Sequence, residues 1–312
     1  MPLTKHLCVR IAEKLYQKST HFVLELIQNA DDNNFKTALP TLAFKYKDRF
    51  LQIDCNETGF TAENVSAICS AGDSSKVGKA QAGRYIGQKG IGFKSVFKAA
   101  DLVWISSGAY SFKFDKNQPL GIITPVWDRF PGEPPIFNHV GGRPPNCTSF
   151  YLQLAKEYNE QELIKDLSSI DSRLLIFLRK LKRIDLKVVL KDGTTLDKKL
   201  EKLDNGAGVN EVCVLKENGQ SIKYTVLKHV ITQPKTVGHP LSEIVIAFPD
   251  SPDQTDTGMV PQQVYAFLPI QSYNFTVCLN LSNFYILRIF DLLFRLVLIA
   301  SRFRTHSEPR RN

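Results

Sequence analysis

The chain has 312 residues, of which 43% are hydrophobic and 23% charged. This ordinary balance excludes disorder over most of the chain, and the length allows two domains that each bury a core. The formal net charge is +9, but residues 288–311 hold six arginines against two acids, so much of the charge belongs to the C-terminal segment. Because basic and aromatic residues do not alternate elsewhere, nucleic-acid binding is disfavoured.

Residues 21–33 carry the first strong pattern, that of an amphipathic helix. Glu25, Asn29 and Asp32 follow the spacing i, i+4 and i+7, which places them on one stripe of a helix. The opposite side is apolar and can face a core. Its residues are Val23, Leu26, Ile27 and Ala30. One helix thus offers a general base, an amide oxygen for a metal ion and a second acid. The alternative is a solvated polar face.

Residues 83–97 combine glycines with an apolar run. The glycines are Gly83, Gly87, Gly90 and Gly92. Glycine lets the backbone approach a ligand closely, and a helix beginning near Gly92 presents its free amides to an anion. Lys89 can add a full positive charge at the same place. The alternative is a flexible, glycine-rich surface turn.

The rest of the chain is predicted to be mostly β-structure. Residues 102–106, 110–114 and 147–154 have the composition of strands, and residues 161–181 have helical spacing that Ser172 can interrupt. Beyond them, short apolar strands separated by Asp-Gly and Asn-Gly turns predict hairpins. We therefore place a domain boundary near residue 180.

Two domains and a tail follow from that boundary: a first domain at 1–180, a β-rich second domain at 181–280 and a divergent apolar and basic tail at 281–312. Arg288, Asp291 and Arg295 leave the tail without an uncharged stretch of eighteen residues, so it is a weak transmembrane candidate. We expect this tail to be truncated or disordered.

The six cysteines show no CxxC pair and no zinc-site spacing. No signal peptide is visible at the start of the sequence. We therefore expect a reducing intracellular location, cytoplasmic or nuclear, with free thiols and no membrane association.

Together and in this order, ELxxNAxD from Glu25 and IGQxGIGFxSxF from Ile86 resemble the motifs of the ATPases that share the Bergerat fold, the GHKL superfamily. That superfamily includes gyrase, the ninety-kilodalton heat-shock chaperone, histidine kinases and the MutL repair proteins. Within the superfamily, the sequence is most similar to the sacsin and plant NO VEIN type, over about residues 12–184. The resemblance implies an α/β sandwich in which helices cover one face of a mostly antiparallel sheet, followed here by the smaller β-rich domain.

The resemblance also implies a role for each matching residue. Glu25 would be the general base that activates water, and Asn29 would supply its side-chain oxygen to a magnesium ion bridging the phosphates. Asp32 would lie near the ribose or adenine. The phosphate-binding backbone and its neighbours would be Gly87, Lys89, Gly90, Gly92 and Phe93. Phosphoryl transfer needs mostly positioning and charge neutralisation, so this set nearly suffices for hydrolysis.

The chain departs from the superfamily pattern at its middle motif, Asp-x-Gly-x-Gly, whose aspartate reads the adenine amino group. Aligning Gly59 with the second glycine puts Cys55 at the aspartate and Glu57 at the first glycine. A thiol is a poor partner for an amine. Asp54 or Asn56 can take that role if the turn is shifted by one residue. The adenine pocket is either repaired by such a shift or weakened by the thiol.

Two further elements of the superfamily match this sequence in part. The stretch between Ile68 and Ile86 lacks an apolar period and corresponds to the lid that closes on nucleotide. Its Ser74, Ser75 and Lys76 would contact phosphates when the lid shuts, although a solvated loop without a role is the alternative. Thr148 matches a threonine whose hydroxyl approaches the nucleotide, and a plain strand threonine is equally compatible.

The resemblance therefore implies magnesium-dependent ATP binding with slow hydrolysis that drives lid closure, in a chaperone-like or regulatory protein of the sacsin and NO VEIN type. ATP and Mg²⁺ are the expected ligands, with protein clients or partner subunits, including dimerisation, as further partners. The alternative is a non-catalytic scaffold or interaction module with a degenerate nucleotide pocket. Glu25 favours the enzyme, whereas Cys55 and Glu57 favour the scaffold.

Overall fold

The computed structural model describes residues 21–69, 93–135, 147–205, 210–232 and 241–250, together with three strands between 262 and 281. The helices of this part are α1 (His21–Asp32), α2 (Ala62–Cys69), a 3-10 helix (Phe93–Lys98), α3 (Glu160–Ser169) and α4 (Leu174–Phe177). Among these described segments, none is a helix long and apolar enough to cross a membrane. Residues 282–312, most of the predicted tail, lie outside the described part.

The described strands belong to one sheet in the order β13-β12-β14-β11-β10-β9-β8-β7-β1-β2-β6-β3-β4-β5. Their bounds are β1 Thr41–Lys47, β2 Phe50–Cys55, β3 Ala100–Ser107, β4 Tyr110–Asp115, β5 Val126–Trp127, β6 Thr148–Leu154, β7 Arg183–Val189, β8 Thr195–Asn205, β9 Asn210–Glu217, β10 Gln220–Thr232, β11 Leu241–Pro249, β12 Gln262–Ala266, β13 Leu268–Phe275 and β14 Cys278–Leu281. Most neighbours are antiparallel, but β1 pairs in parallel with β7, and β12 with β14. The sheet is therefore mixed.

The predicted fold class is wrong. Instead of a helix-covered α/β sandwich followed by a smaller β-rich domain, one large mixed sheet runs through both halves of the chain, and helices are few in the part described. The junction is the pairing of Leu42, Phe44 and Tyr46 of β1 with alternate residues of β7. Those β7 residues are Ile184, Leu186 and Val188, all buried. Their apolar alternation, which we assigned to a separate hairpin, continues the first sheet. The domain division itself stays a prediction.

The core lies on one face of the sheet, called the helix face here because α1 packs on it. Register places alternate residues of β1, β2, β3, β4, β6 and β7 on this face. The buried members at its centre are Phe44, Leu51, Ile53, Val103, Ile105, Phe112, Phe114 and Leu152. The apolar side of α1 joins the same cluster, as its spacing predicts.

The opposite side of the sheet, called the second face, is crossed by part of the proline-rich segment after β5. The Gln52 side chain bonds the Glu133 backbone twice, accepting from its N–H at 2.9 Å and donating to its carbonyl at 2.7 Å. The Trp104 indole donates to Asp128 at 3.1 Å. These bonds satisfy the polar side-chain groups of Gln52 and Trp104, which strand pairing does not satisfy.

Several predicted local features are confirmed. The β9–β10 hairpin turns through Asn218 and Gly219, whose φ angles of 50° and 88° lie in the left-handed region that Asn-Gly turns favour. The helical segment after residue 160 breaks into α3 and α4 around Ser172.

Helix α2 is an element that we did not predict. Its start is marked by a reciprocal pair in which the Thr61 hydroxyl accepts from the Asn64 N–H at 3.3 Å and the Asn64 side chain accepts from the Thr61 N–H at 2.9 Å. Such a pair satisfies two amides at a helix start. Thr61 and Asn64 at that spacing were the available sequence signal.

A polar network around the buried Glu160 side chain ties α3 to the sheet. The Glu160 carboxylate accepts from the Tyr46 hydroxyl at 2.5 Å and from the Lys191 ammonium, and Arg49 lies 3.9 Å away. The hydrogen bond from Lys191, followed by that from Tyr46, lowers the pKa of Glu160. Its charged form is therefore stabilised by folding.

We expect Glu160→Gln to lower the free energy of unfolding by about 1.5–3 kcal/mol at pH 7, because hydrogen bonds to a charged group are lost. A carboxyl whose pKa is lowered by folding stabilises the protein above its ordinary pKa, near 4.5, and the contribution is lost as pH falls. The deficit measured by urea unfolding should thus shrink toward pH 4. Glu162→Gln on the exposed side of α3 is the matched control, and a deficit unchanged by pH would contradict the assignment.

Candidate nucleotide site

Helix α1 presents the predicted polar stripe. Glu25 and Asn29 are half-buried, while the neighbouring Asp32 is buried with 3% exposure. Val23 and Ile27 on the other side are buried in the core. The helix therefore holds Glu25 and Asn29 where a ligand can reach them. Asp32 is less accessible than its place on the stripe suggests.

An acid beside this stripe anchors the helix. Asp31 is 1% exposed, and its carboxylate accepts backbone N–H groups from Arg179, Lys180 and Leu181, each at 2.8 Å. The Lys180 ammonium in turn donates to the carbonyls of Asp32 and Asn33 at the helix end, at 3.1 and 2.5 Å. A cation at the carbonyls of a helix end also suits the helix dipole. The pose of α1 thus depends on the segment just before β7.

A row of small polar groups lies at the end of three adjacent strands on the helix face. Register pairs Cys55 with Thr148 and Thr148 with Ser107. All three are buried, and the Thr148 and Ser107 hydroxyl oxygens are 2.5 Å apart. Thr148, predicted to approach a nucleotide, therefore stands between a thiol and a second hydroxyl.

The turn after β2 is fastened to this row. Gly59 has φ +88°, a conformation that side-chain-bearing residues rarely adopt, and its missing Cβ would lie 3.6 Å from the Ser107 hydroxyl. The next residue, Phe60, donates its N–H to that hydroxyl at 2.8 Å. On its other side the turn reaches the end of α1, since the Thr58 N–H donates to the Asn34 carbonyl at 2.9 Å. The positive φ of this turn therefore explains why residue 59 is a glycine.

The two candidates for replacing the adenine-reading aspartate point elsewhere. Asp54, 1% exposed, lies on the second face, where it accepts from the Ser149 hydroxyl and, at 2.8 Å, from the Gln52 amide. Asn56 accepts from the Thr41 N–H at 2.7 Å and donates to the Leu39 carbonyl at 3.0 Å.

Burial, followed by the negative charge of Glu57, raises the pKa of Cys55 well above its usual range. The thiol is therefore neutral.

Phe93 opens the 3-10 helix that packs against α1. Its ring lies 5.7 Å from that of Phe150 and 6.2 Å from that of Phe114, so it belongs to an aromatic cluster on the helix face. The next residue, Lys94, places its ammonium 4.7 Å from the Phe114 ring and donates to the Ile68 carbonyl at the end of α2. Burial lowers the pKa of Lys94 to about 8.

The remaining predicted site residues lie outside the described part of the chain. They are Ser74, Ser75, Lys76, Gly87, Lys89, Gly90 and Gly92. Their predicted roles in lid closure and phosphate binding stay predictions. Phe93, the first described residue after them, opens the 3-10 helix that packs against α1.

Sequence reasoning missed three residues that shape the site. Asp31 lies off the Glu25 stripe, so helical spacing gives no reason to select it, and its burial is seen only in the structure. Ser107 lies beyond the predicted strand at 102–106, and only strand register places its hydroxyl beside Thr148. Lys94 stands within the motif IGQxGIGFxSxF at an unspecified position, so the motif carried no information about it.

The half-exposed pair on α1 fits a magnesium ion. Mg²⁺ prefers oxygen ligands, keeps several waters and takes few ligands from protein. Asn29 offers one amide oxygen, and Glu25 is the accessible carboxylate one turn earlier on the same stripe. This donor set suits a hydrated ion that phosphates also bind.

We expect Asp31→Ala to destabilise the protein by at least about 3 kcal/mol, because three backbone amides lose hydrogen bonds to a charged group, which are worth about 1.5–3 kcal/mol each. Asp31→Asn, which keeps one acceptor oxygen, should cost clearly less. Urea unfolding monitored by circular dichroism measures both variants. A loss below about 1 kcal/mol for the alanine variant would show that this anchor does not hold α1.

No protein-family model matches the chain. The chain is similar to Protein NO VEIN of Arabidopsis thaliana, with 31% identity over 286 residues. The match covers 84% of this chain and 10% of the Arabidopsis protein, so the chain spans about a tenth of that relative's length. The predicted resemblance to NO VEIN proteins is confirmed by this similarity. The predicted resemblance to sacsin and the wider relationship to GHKL ATPases stay predictions.

Proposed function

We propose that this chain binds magnesium-ATP and hydrolyses it slowly, as the nucleotide-binding part of a chaperone-like or regulatory protein of the NO VEIN type. The observation that carries the proposal is the fixed position and orientation of α1. Its apolar side and Asp31 are locked into the fold, so Glu25 and Asn29 are presented at fixed positions. Preorganised groups are what phosphoryl transfer requires.

The roles follow from the side chains. Glu25 is the group that orients or deprotonates the attacking water, because it is the accessible carboxylate of the stripe. Asn29 supplies an oxygen to the metal that neutralises phosphate charge. The glycine segment before Phe93 supplies backbone donors for the phosphates. The contact between the 3-10 helix that begins at Phe93 and α1 supports this proposal.

The base would lie against the row of Cys55, Thr148 and Ser107. This row is polar, buried and adjacent to the Gly59 turn that also touches the chain leaving α1. Hydroxyls and a turn backbone are groups that orient a planar ligand between apolar side chains. The row therefore defines where specificity resides.

The rival function is a non-catalytic scaffold with a degenerate pocket. The observation that favours it is the neutral, buried Cys55 thiol at the position where GHKL ATPases carry an aspartate. A thiol contributes a weak hydrogen bond at most. Nucleotide binding and turnover separate the two functions.

We expect magnesium-ATP to raise the melting temperature of the full chain. A ligand that binds only the folded state adds about 2.7 kcal/mol of stability at a hundredfold excess over its dissociation constant. The shift should vanish in Asn29→Ala and persist in Asn117→Ala, which changes an exposed asparagine outside the site. No shift of the wild type at millimolar nucleotide would reject the binding function and favour the scaffold.

We expect Glu25→Gln to retain the ATP-induced shift and to lose turnover by about 10²-fold or more, the usual effect of removing a general base. Phosphate release under single-turnover conditions measures the chemical step directly. Equal rates for Glu25→Gln and the wild type would show that another group activates the water.

A further inference from the structure

Exposed apolar side chains are concentrated where the sheet ends at β5. Of the large hydrophobic side chains that are exposed in the described part of the chain, half belong to residues 120–127. Leu120 and Trp127 are each 69% exposed. Single apolar residues at a surface need no explanation, whereas a concentration of this kind marks a binding surface.

The Trp127 indole is held in place by two rings of β4. Its ring centroid lies 5.8 Å from that of Phe112, edge to face, and 6.4 Å from that of Tyr110, to which it is nearly parallel at 20°. Strand register pairs Trp127 with Phe112, and Tyr110 shares a face of β4 with Phe112. Trp127 and the half-buried Tyr110 therefore form a fixed aromatic floor.

The loop after β4 borders this floor. The Ile122 carbonyl accepts from the Lys94 ammonium, which lies over the ring of Phe114 on the same face of β4. The Leu120 carbonyl accepts two backbone N–H groups of the following turn, each at 2.9 Å. Leu120 has φ +55°, a left-handed conformation that glycine or asparagine adopts more easily. Since neither this conformation nor its exposure favours folding, binding is the better reason for a leucine here.

The size of the surface argues against a second copy of this chain as the partner. We call Tyr110, Leu120, Ile122 and Trp127 the edge patch. Their exposed surface comes to roughly 400 Å², the size of a functional patch on a monomer. A stable protein–protein interface buries about 800 Å² on each partner. The edge patch therefore fits a short peptide.

The backbone of β5 argues against a peptide that adds a strand to the sheet. The strand has two residues, and Pro125 before it has no N–H. After it, the Asp128 N–H donates to the Ser111 carbonyl at 3.3 Å, and the Asp128 carbonyl accepts from the Ser111 hydroxyl at 2.7 Å. Strand addition depends on main-chain hydrogen bonds, whereas binding to aromatic rings does not.

We propose that the edge patch binds a proline-rich peptide in the polyproline II conformation. Proline rings pack on aromatic side chains, and surfaces lined by such side chains recognise proline-rich segments. A polyproline II peptide is extended before it binds, so it loses less conformational entropy than a flexible peptide. This matters on a surface with little area to bury. The inference is independent of the nucleotide site.

The test is fluorescence anisotropy of labelled decaproline titrated with the full chain. A flexible Gly-Ser peptide of the same length and label is the matched control. We expect decaproline to bind with a dissociation constant on the order of 0.1 mM, because the edge patch is smaller than a standard interface. The Gly-Ser peptide should not bind at that concentration.

Three variants locate the binding. Trp127→Ala should weaken it by at least about tenfold, because an exposed tryptophan of this kind carries much of the energy of an interface. Leu120→Asn should weaken it by about threefold and keep the fold, since asparagine tolerates a left-handed backbone. Ile222→Thr changes an exposed apolar residue of β10 outside the edge patch and should bind as the wild type does.

Equal binding of the two peptides, or binding of neither by the folded wild type, would overturn the proposal. Wild-type affinity in Trp127→Ala would do so as well. A dimer in sedimentation velocity that Trp127→Ala dissociates would show that a second copy occupies the edge patch, and it would also overturn the proposal. If Trp127→Ala does not fold, Leu120→Asn decides, and unchanged affinity in that variant counts against the proposal.

Discussion

The carboxylate of Asp31 is the constraint on which the candidate site depends. It satisfies three consecutive backbone amides before β7, and Lys180 from the same segment closes the end of α1. A buried charge is tolerated when hydrogen bonds surround it, and here the partners are immobile backbone groups. The helix cannot rotate about its axis without breaking these bonds. Glu25 and Asn29 therefore owe their presentation to an acid that does not itself face a ligand.

Alternation along β2 decides which side chains serve the site. The Cys55 side chain lies on the helix face and that of Asp54 on the second face. A shift of one residue in the register of β2 would therefore replace the thiol on the helix face with a carboxylate. That shift would also move Leu51 and Ile53 out of the core, which burial of both side chains forbids. The chain has therefore kept its hydrophobic register. The turn that follows the strand carries Glu57 and the positive φ of Gly59.

Local features were largely readable from the sequence. Helix α1 followed from its apolar spacing, and the Asn218-Gly219 turn from its residue preferences. The global fold was not readable, because the alternating pattern at Ile184 and Leu186 fits equally well a hairpin of a second domain or a strand of the first sheet. Only the long-range parallel pairing with β1 decides between them. The site was half readable for the same reason. Glu25 and Asn29 share one helix, whereas Ser107 meets Thr148 through strand pairing alone.

The parallel pairing of β1 with β7 has a consequence for synthesis on the ribosome. Strand β2 follows β1 at once, but the other edge of β1 has no partner until residues 183–189 emerge. At about 5–20 residues per second, that interval lasts on the order of ten seconds. During it, a strand with Leu42, Phe44 and Tyr46 exposes an open edge that other chains can join. The nascent chain is therefore most vulnerable to aggregation before β7 appears, and the segment that anchors α1, Arg179 to Leu181, emerges just ahead of that strand.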